Sequence, residues 1–295
     1  MKNVRQITSS TKLTGIIGHP IAHTLSPEMH NRAFSLLGLD YVYVVFSIAP
    51  GDLSKVVPAL PALAVKGINV TIPYKQEILK YLHEVSPLAR RIGAVNTILI
   101  ENDQLHGFNT DGDGFIVSLA EAGFNSRGKK VLLLGAGGAC RAAALALAWS
   151  GAEIITIAAR DIRKAESLVK ETKLDEEAKT KCFVLRNLPT NEIAEADLIV
   201  NTTPLGMAPL ERQMPLISCD MLHERQYVSD IIYNPLETLF LKKAKLKGCR
   251  TINGVGMLVH QGAKAFSLWT KEKAPVEEMR RIVLESVDKG RKKIP

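Results

Sequence analysis

The run Val131-Leu132-Leu133-Leu134-Gly135-Ala136-Gly137-Gly138-Ala139-Cys140-Arg141 decides the fold. Four apolar residues end at a glycine, small residues follow, and Arg141 to Ala148 favours helix. A short buried strand, a tight glycine turn and a helix start in that order predict a dinucleotide-binding βαβ unit. Gly135 and Gly137 let the backbone turn and approach a pyrophosphate, whose charge then rests on helix N–H groups. The cofactor-binding turn is therefore read as Gly135, Ala136, Gly137, Gly138 and Ala139. Cys140 stands at the third glycine position of G-x-G-x-x-G, so an ordinary strand-to-helix turn is the rival reading.

Downstream, Glu153 to Ala159 reads as the next strand, with Arg160 at its end. In this fold that position faces the adenosine ribose, where an acidic residue suits NAD and an arginine pairs a 2′-phosphate. Arg160, Arg163 and Lys164 together favour NADP through charge-assisted hydrogen bonds. Asp161 points the other way, toward NAD, unless it serves as a helix N-cap before the run to Val169. NADP is expected and NAD is kept as an alternative.

The chain has 295 residues, enough for two domains. Hydrophobic content of 46% with 23% charged residues is that of a soluble globular protein. The net charge of +8 suits anionic ligands. Much of it lies in Lys242–Lys247 and in the run 289–293, read as solvated surface, and no nucleic-acid motif accompanies it. Four scattered cysteines without C-x-x-C spacing fit reduced thiols in a cytoplasm. No secretory core or membrane span is expected. The histidines show no metal-ligand spacing, and no G-x-S-x-G elbow occurs. Chemistry is left to the cofactor and a few polar side chains.

Two α/β units are predicted. In the first, Leu13–Gly18, Tyr41–Ile48, Ile68–Ile72 and Asn96–Ile100 read as strands. Ser26 reads as an N-cap with Pro27 at the first helical position, and Lys75–Glu84 reads as a helix. The second contains the glycine turn and strands at Leu198–Thr202 and Val228–Ile232. Helices follow at Met257–Trp269 and Glu277–Val287.

Further motifs carry a family resemblance: GHPIAHTLSP at 18–27, NVTIPYK at 69–75, GAVNT at 93–97 and NTDG at 109–112. NTTPLGM at 201–207, DIIYNP at 230–235 and NGVGMLVHQ at 253–261 complete the set. In this order and over nearly the whole chain, they resemble the shikimate dehydrogenases. The resemblance implies reversible NADPH-dependent reduction of 3-dehydroshikimate to shikimate, on the route to chorismate and aromatic amino acids. It also implies a substrate-binding α/β domain in residues 1–112, an inserted Rossmann-like NADP domain in 113–252, C-terminal helices in 253–295 completing the first, and a cleft between. A monomer or homodimer without nucleic-acid or membrane partners is expected.

Hydride delivery to a ketone creates an alkoxide, so a proton donor must stand beside that oxygen. By resemblance Lys75 is that donor and Asp111 its carboxylate partner; read alone, they are a surface charge and an N-cap. The resemblance also assigns Thr24 and Ser26 to the substrate carboxylate, Asn69, Thr71, Asn96 and Gln261 to the ring hydroxyls, and Tyr233 to one side of the substrate. Ala159, Thr202 and Gly254 join Arg160, Asp161 and Lys164 on the cofactor. Two departures stand out. Thr24 replaces the usual serine, leaving quinate open as a substrate, and Ala159-Arg160-Asp161 replaces the common Asn-Arg-Thr. A quinate/shikimate dehydrogenase of relaxed cofactor choice is the near alternative. A non-catalytic dinucleotide-sensing module is the distant one, and it has no use for Lys75 with Asp111.

Overall fold

The structure, a computed structural model, describes residues 7–22 and 24–291, so position 23 of the first motif and the end of the basic 289–293 run lie outside the described residues. The chain forms two compact units: the described residues up to Thr110 together with those from Gln261 onward, and Asp111–His260.

The first unit is built on a mixed six-stranded sheet. Its strands are β1 (Lys12–Gly18), β2 (Tyr41–Ser47), β3 (Val65–Val70), β4 (Glu84–Val85), β5 (Thr97–Glu101) and β6 (Gln104–Phe108), in the order β2-β1-β3-β5-β6-β4. β1 pairs in parallel with β2 and β3, whereas β5 runs antiparallel to both β3 and β6. Helices α1 (Ser26–Leu36), α2 (Leu53–Val56) and α3 (Pro87–Ile92) connect them. One core gathers Ile17, Leu53, Val57, Ile68, Ile78 and Ile98, all essentially inaccessible to solvent. Each such aliphatic side chain contributes about 1.5–3 kcal/mol on burial.

The second unit carries α4 (Asp111–Glu121), β7 (Lys130–Leu134), α5 (Gly138–Trp149), β8 (Ile154–Ala159), α6 (Ile162–Thr172), β9 (Lys179–Val184), α7 (Thr190–Ala194), β10 (Leu198–Asn201), β11 (Tyr227–Asp230), α8 (Leu239–Leu246) and β12 (Arg250–Ile252). Its sheet is wholly parallel, in the order β12-β11-β10-β7-β8-β9. The run Val131–Leu134 is buried without alternation, as a strand covered on both faces requires. The winding reverses between β7 and β10, and Gly135 and Thr202 lie at their C-terminal ends, where doubly wound sheets bind ligands.

Helix α9 (Val255–Thr270) begins in the second unit and ends in the first, where α10 (Val276–Arg291) packs on α1. The units therefore divide at 110/111 and 260/261, whereas the sequence reading divides at 112/113 and 252/253. Packing explains the difference. A Cβ on Gly112 of α4 would lie 3.0 Å from Ala142 O of α5, and one on Gly256 of α9 would lie 2.7 Å from Ser118 Cβ of α4. Both helix starts thus seat closely within the second unit.

Several elements differ from expectation. The helix expected over Lys75–Glu84 is a turn followed by a short 3₁₀ segment, Glu77–Tyr81, and then β4. Tyr74, buried with its hydroxyl donating to Ile48 O at 2.7 Å, and Val95 N donating to Lys75 O at 2.7 Å hold the turn outside helical geometry. Ser26 makes no cap bond; it is the first residue of α1, and its N–H donates to Thr24 Oγ1. Asp161 does cap α6, accepting from Arg163 N at 3.1 Å. Strands β4, β6, β9 and β12 are additional to those predicted.

Candidate active site

In the first unit the functional candidates sit where parallel strands end. Gly18 closes β1 and lies against Thr71, just beyond β3: a Cβ there would stand 2.5 Å from Thr71 Cγ2. Thr71 N donates to Ile17 O at 2.9 Å and His19 N to Ile72 O at 3.0 Å, joining the two loops. Thr24 and Ser26 form a hydroxyl pair, Thr24 Oγ1 donating to Ser26 Oγ at 3.2 Å. Lys75 is half-buried in the turn that Tyr74 anchors.

The same unit holds a row of polar groups, buried except for the half-buried Gln261. Asn69 Nδ2 donates to Asn96 O at 3.2 Å and to Thr97 Oγ1 at 3.1 Å. Thr97 Oγ1 donates to Asn96 Oδ1 at 3.1 Å, which also accepts from Thr110 N at 2.8 Å. Asn96 Nδ2 donates to Thr110 Oγ1 at 2.9 Å and to Gln261 Oε1 at 3.3 Å. Three predicted residues, Asn69, Asn96 and Gln261, are therefore brought together with two that sequence reasoning quoted but did not assign, Thr97 and Thr110. Their signal was available: each lies inside a motif and beside a residue that was assigned.

In the second unit Asp111 is buried at the first position of α4. The glycine turn has the expected geometry. Gly135 has φ +121, and a Cβ on it would meet Thr202 Oγ1 at 2.6 Å; that hydroxyl donates to Leu134 O at 2.8 Å. Gly137 precedes α5 with no side-chain cap bond, and a Cβ on it would meet nothing within 4 Å. Open space beside uncapped helix N–H groups fits a dinucleotide pyrophosphate. Cys140 fills the third glycine position as a packed residue, its Sγ donating to Gly135 O at 3.1 Å and its thiol pushed up to about 12 by burial.

At the end of β8, Ala159 is buried, while Arg160 and Lys164 are exposed. Arg163 is turned onto Asp161, Nε and Nη2 each donating at 3.0 Å, and this holds the carboxyl below its ordinary range. Asp230, at the end of β11, accepts from Thr238 Oγ1, Asn201 Nδ2 and Ile232 N at 2.8–3.1 Å. Burial still pushes its carboxyl up to about 6. Tyr233 lies half-buried in the loop beyond. Gly254 meets that loop closely: a Cβ would lie 2.0 Å from Ile231 O. Among the described residues no cluster of His, Cys, Asp or Glu could hold a metal ion, and no helix is long and apolar enough to cross a membrane.

A parallel sheet with a glycine turn at its switch point, joined to an α/β unit bearing hydroxyls, amides and a lysine at its strand ends, defines a dinucleotide-dependent oxidoreductase. Residues 16–98 match the shikimate dehydrogenase substrate-binding domain, 118–228 the shikimate/quinate 5-dehydrogenase family and 254–284 the shikimate 5′-dehydrogenase C-terminal domain. The chain belongs to the shikimate dehydrogenase family. It is 45% identical to the shikimate dehydrogenase (NADP+) of Methanopyrus kandleri over 95% of this chain and 97% of that one. A crystal structure of a shikimate dehydrogenase in complex with NADP+ superposes with a TM-score of 0.89 at 43% identity, covering 96% of this chain and 98% of the other. The Listeria monocytogenes enzyme, in complex with shikimate and NAD, gives 0.87 at 41% identity, covering 96% and 100%.

Proposed function

We propose that this protein is a shikimate dehydrogenase, reducing 3-dehydroshikimate to shikimate reversibly with NADPH in the cytoplasm, as a monomer or homodimer. The observation that carries the reading is the row Asn69–Thr97–Asn96–Gln261, buried up to a half-buried Gln261, a ready-made set of amides and hydroxyls for a polyhydroxylated ring, set in the same unit as Lys75. When bound, the reduced nicotinamide supplies the hydride. Gly135, Gly137 and the first N–H groups of α5 hold its pyrophosphate, and Arg160 with Lys164 takes the 2′-phosphate. Thr24 and Ser26 hold the substrate carboxylate. Lys75 gives a proton to the carbonyl oxygen as negative charge develops there and recovers it in the reverse direction. Asp111 is the carboxylate partner that orients the ammonium and accepts from a substrate hydroxyl.

The test is nicotinamide absorbance with shikimate or quinate, each with NADP or NAD, for the wild type and Lys75→Ala. Shikimate with NADP should be the preferred pair, with turnover lowered about 10²–10⁴-fold in the variant, the scale of a positioned general acid. Turnover by Lys75→Ala within a few-fold of wild type would remove the lysine from the role, and a preference for quinate with NAD would favour the relaxed alternative that Thr24 and Asp161 motivate.

A further inference from the structure

Tyr43 of β2 is 2% exposed, and its hydroxyl donates to Asn69 Oδ1 at 2.8 Å. Two consecutive residues of α1 grip it. Asn31 clasps its backbone, Oδ1 accepting from Tyr43 N and Nδ2 donating to Tyr43 O, both at 2.8 Å. His30 stacks on its ring with centroids 4.5 Å apart and planes 7° from parallel. The imidazole is completely buried, neither of its nitrogens has a hydrogen-bond partner, and burial lowers it to about 3, so it acts as a flat neutral ring.

We propose that Tyr43, clamped by His30 and Asn31, is a positioning residue that holds the Asn69 amide in the place and orientation it offers a ligand; this rests on the proposed role of Asn69 in holding substrate. Donor and acceptor accounting carries it. Asn96 O can only accept, so it takes an Nδ2 hydrogen and turns Oδ1 toward Tyr43, whose hydroxyl holds it there by donating. Both Nδ2 hydrogens are then consumed by Asn96 O and Thr97 Oγ1. All that Asn69 retains is acceptor capacity on Oδ1. It selects a ligand group that donates, a hydroxyl, and disfavours a carbonyl or carboxylate. The row continues in the same sense: Thr97, accepting from Asn69, donates to Asn96 Oδ1, which Thr110 N also holds, so that Asn96 Nδ2 faces Gln261. Tyr43 sits at the head of this chain without belonging to any motif that carries the family resemblance.

The experiment compares Tyr43→Phe and Asn69→Ala by steady-state kinetics and thermal melting. Phenylalanine preserves the stack on His30 and removes only the donor. The KM for shikimate should rise about three- to tenfold, the scale of one neutral hydrogen bond, with kcat and the KM for NADP held near wild type. Uniform loss in kcat and both KM values alongside a lowered Tm would make Tyr43 merely structural and overturn the inference. A normal shikimate KM in Tyr43→Phe beside a raised one in Asn69→Ala would overturn it as well, leaving Asn69's role intact. A normal shikimate KM in both variants would instead overturn the role of Asn69 on which the proposal stands.

Discussion

Arg160 and Asp161 are neighbours in sequence but face different tasks. The Asp161 carboxylate caps α6 and is occupied by Arg163, while Arg160 and Lys164 stand exposed at the end of β8 outside that pair. Arg160→Ala should therefore raise the KM for NADP by about an order of magnitude or more, the scale of a hydrogen bond between charged groups, and leave that for NAD unchanged. An equal rise for both cofactors would refute phosphate pairing. Asp161→Thr should lower the NADP KM, because threonine can still cap while loss of the carboxylate releases the Arg163 cation beside Arg160. Asp161→Ala, lacking any cap, should lower the midpoint of denaturant titration. The sequence alone pulled these two residues in opposite directions on cofactor choice. It could not show that Asp161 is spent locally, because a cap and a ribose ligand use the same carboxylate.

At the scale of the element, legibility followed burial. β7, β8, β10 and β11 are read readily from apolar runs such as Val131–Leu134. β9 reads Lys179-Thr180-Lys181-Cys182-Phe183-Val184, and its lysines, permitted at a sheet edge, dilute the signal. The helix expected after Lys75 is lost to tertiary contacts, Tyr74 with Ile48 and Val95 with Lys75, that no local pattern displays. Asn69, Asn96 and Gln261 lie inside motifs and are picked out from the sequence; the Tyr43–Asn69 bond is not, since a tyrosine in an apolar strand reads as core until its hydroxyl partner is seen. Glycines expose the same limit. Gly254 looks like one more helix-start residue, yet a Cβ there would collide with backbone, 2.0 Å from Ile231 O and 2.4 Å from Ile231 C. Backbone cannot swing aside as a side chain can. Gly254→Ala should destabilise the protein by more than the ~1–3 kcal/mol typical of overpacking, lowering the Tm and the soluble yield together. A Tm equal to wild type would show that the 231–233 loop yields freely.

For the molecule as a whole, each unit holds a buried titratable group, and the two respond to acid with opposite sign. His30 in the first unit is lowered to about 3 by burial. Its unfolded form takes up a proton as pH falls through 6.5 while the folded form does not, so stability is lost from 6.5 downward, about 2 kcal/mol by pH 5. Asp230 in the second unit is raised to about 6, again by burial. The folded form binds a proton first, so lowering pH from 7 toward 4 adds stability, about 1 kcal/mol by pH 5. Calorimetry at pH 7 and pH 5 should show the first unit's transition moving down and the second's moving up. His30→Phe should abolish the first shift only; a shift that persists in that variant would assign it to other groups.

The shared helix α9 has a consequence for synthesis. The first unit's sheet leaves a recess at Gly67 that is filled by Trp269, whose Nε1 donates to Ile98 O at 3.0 Å; a Cβ on Gly67 would stand 2.1 Å from that nitrogen. Residues 111–260 are translated before that tryptophan exists. At about 5–20 residues per second, the early strands wait on the order of ten to thirty seconds with an open hydrophobic slot, while the nucleotide unit has everything it needs to close first. The order in which the ribosome delivers the chain thus makes the second-written unit the first to finish, and leaves the nascent first unit exposed to chaperones during that interval.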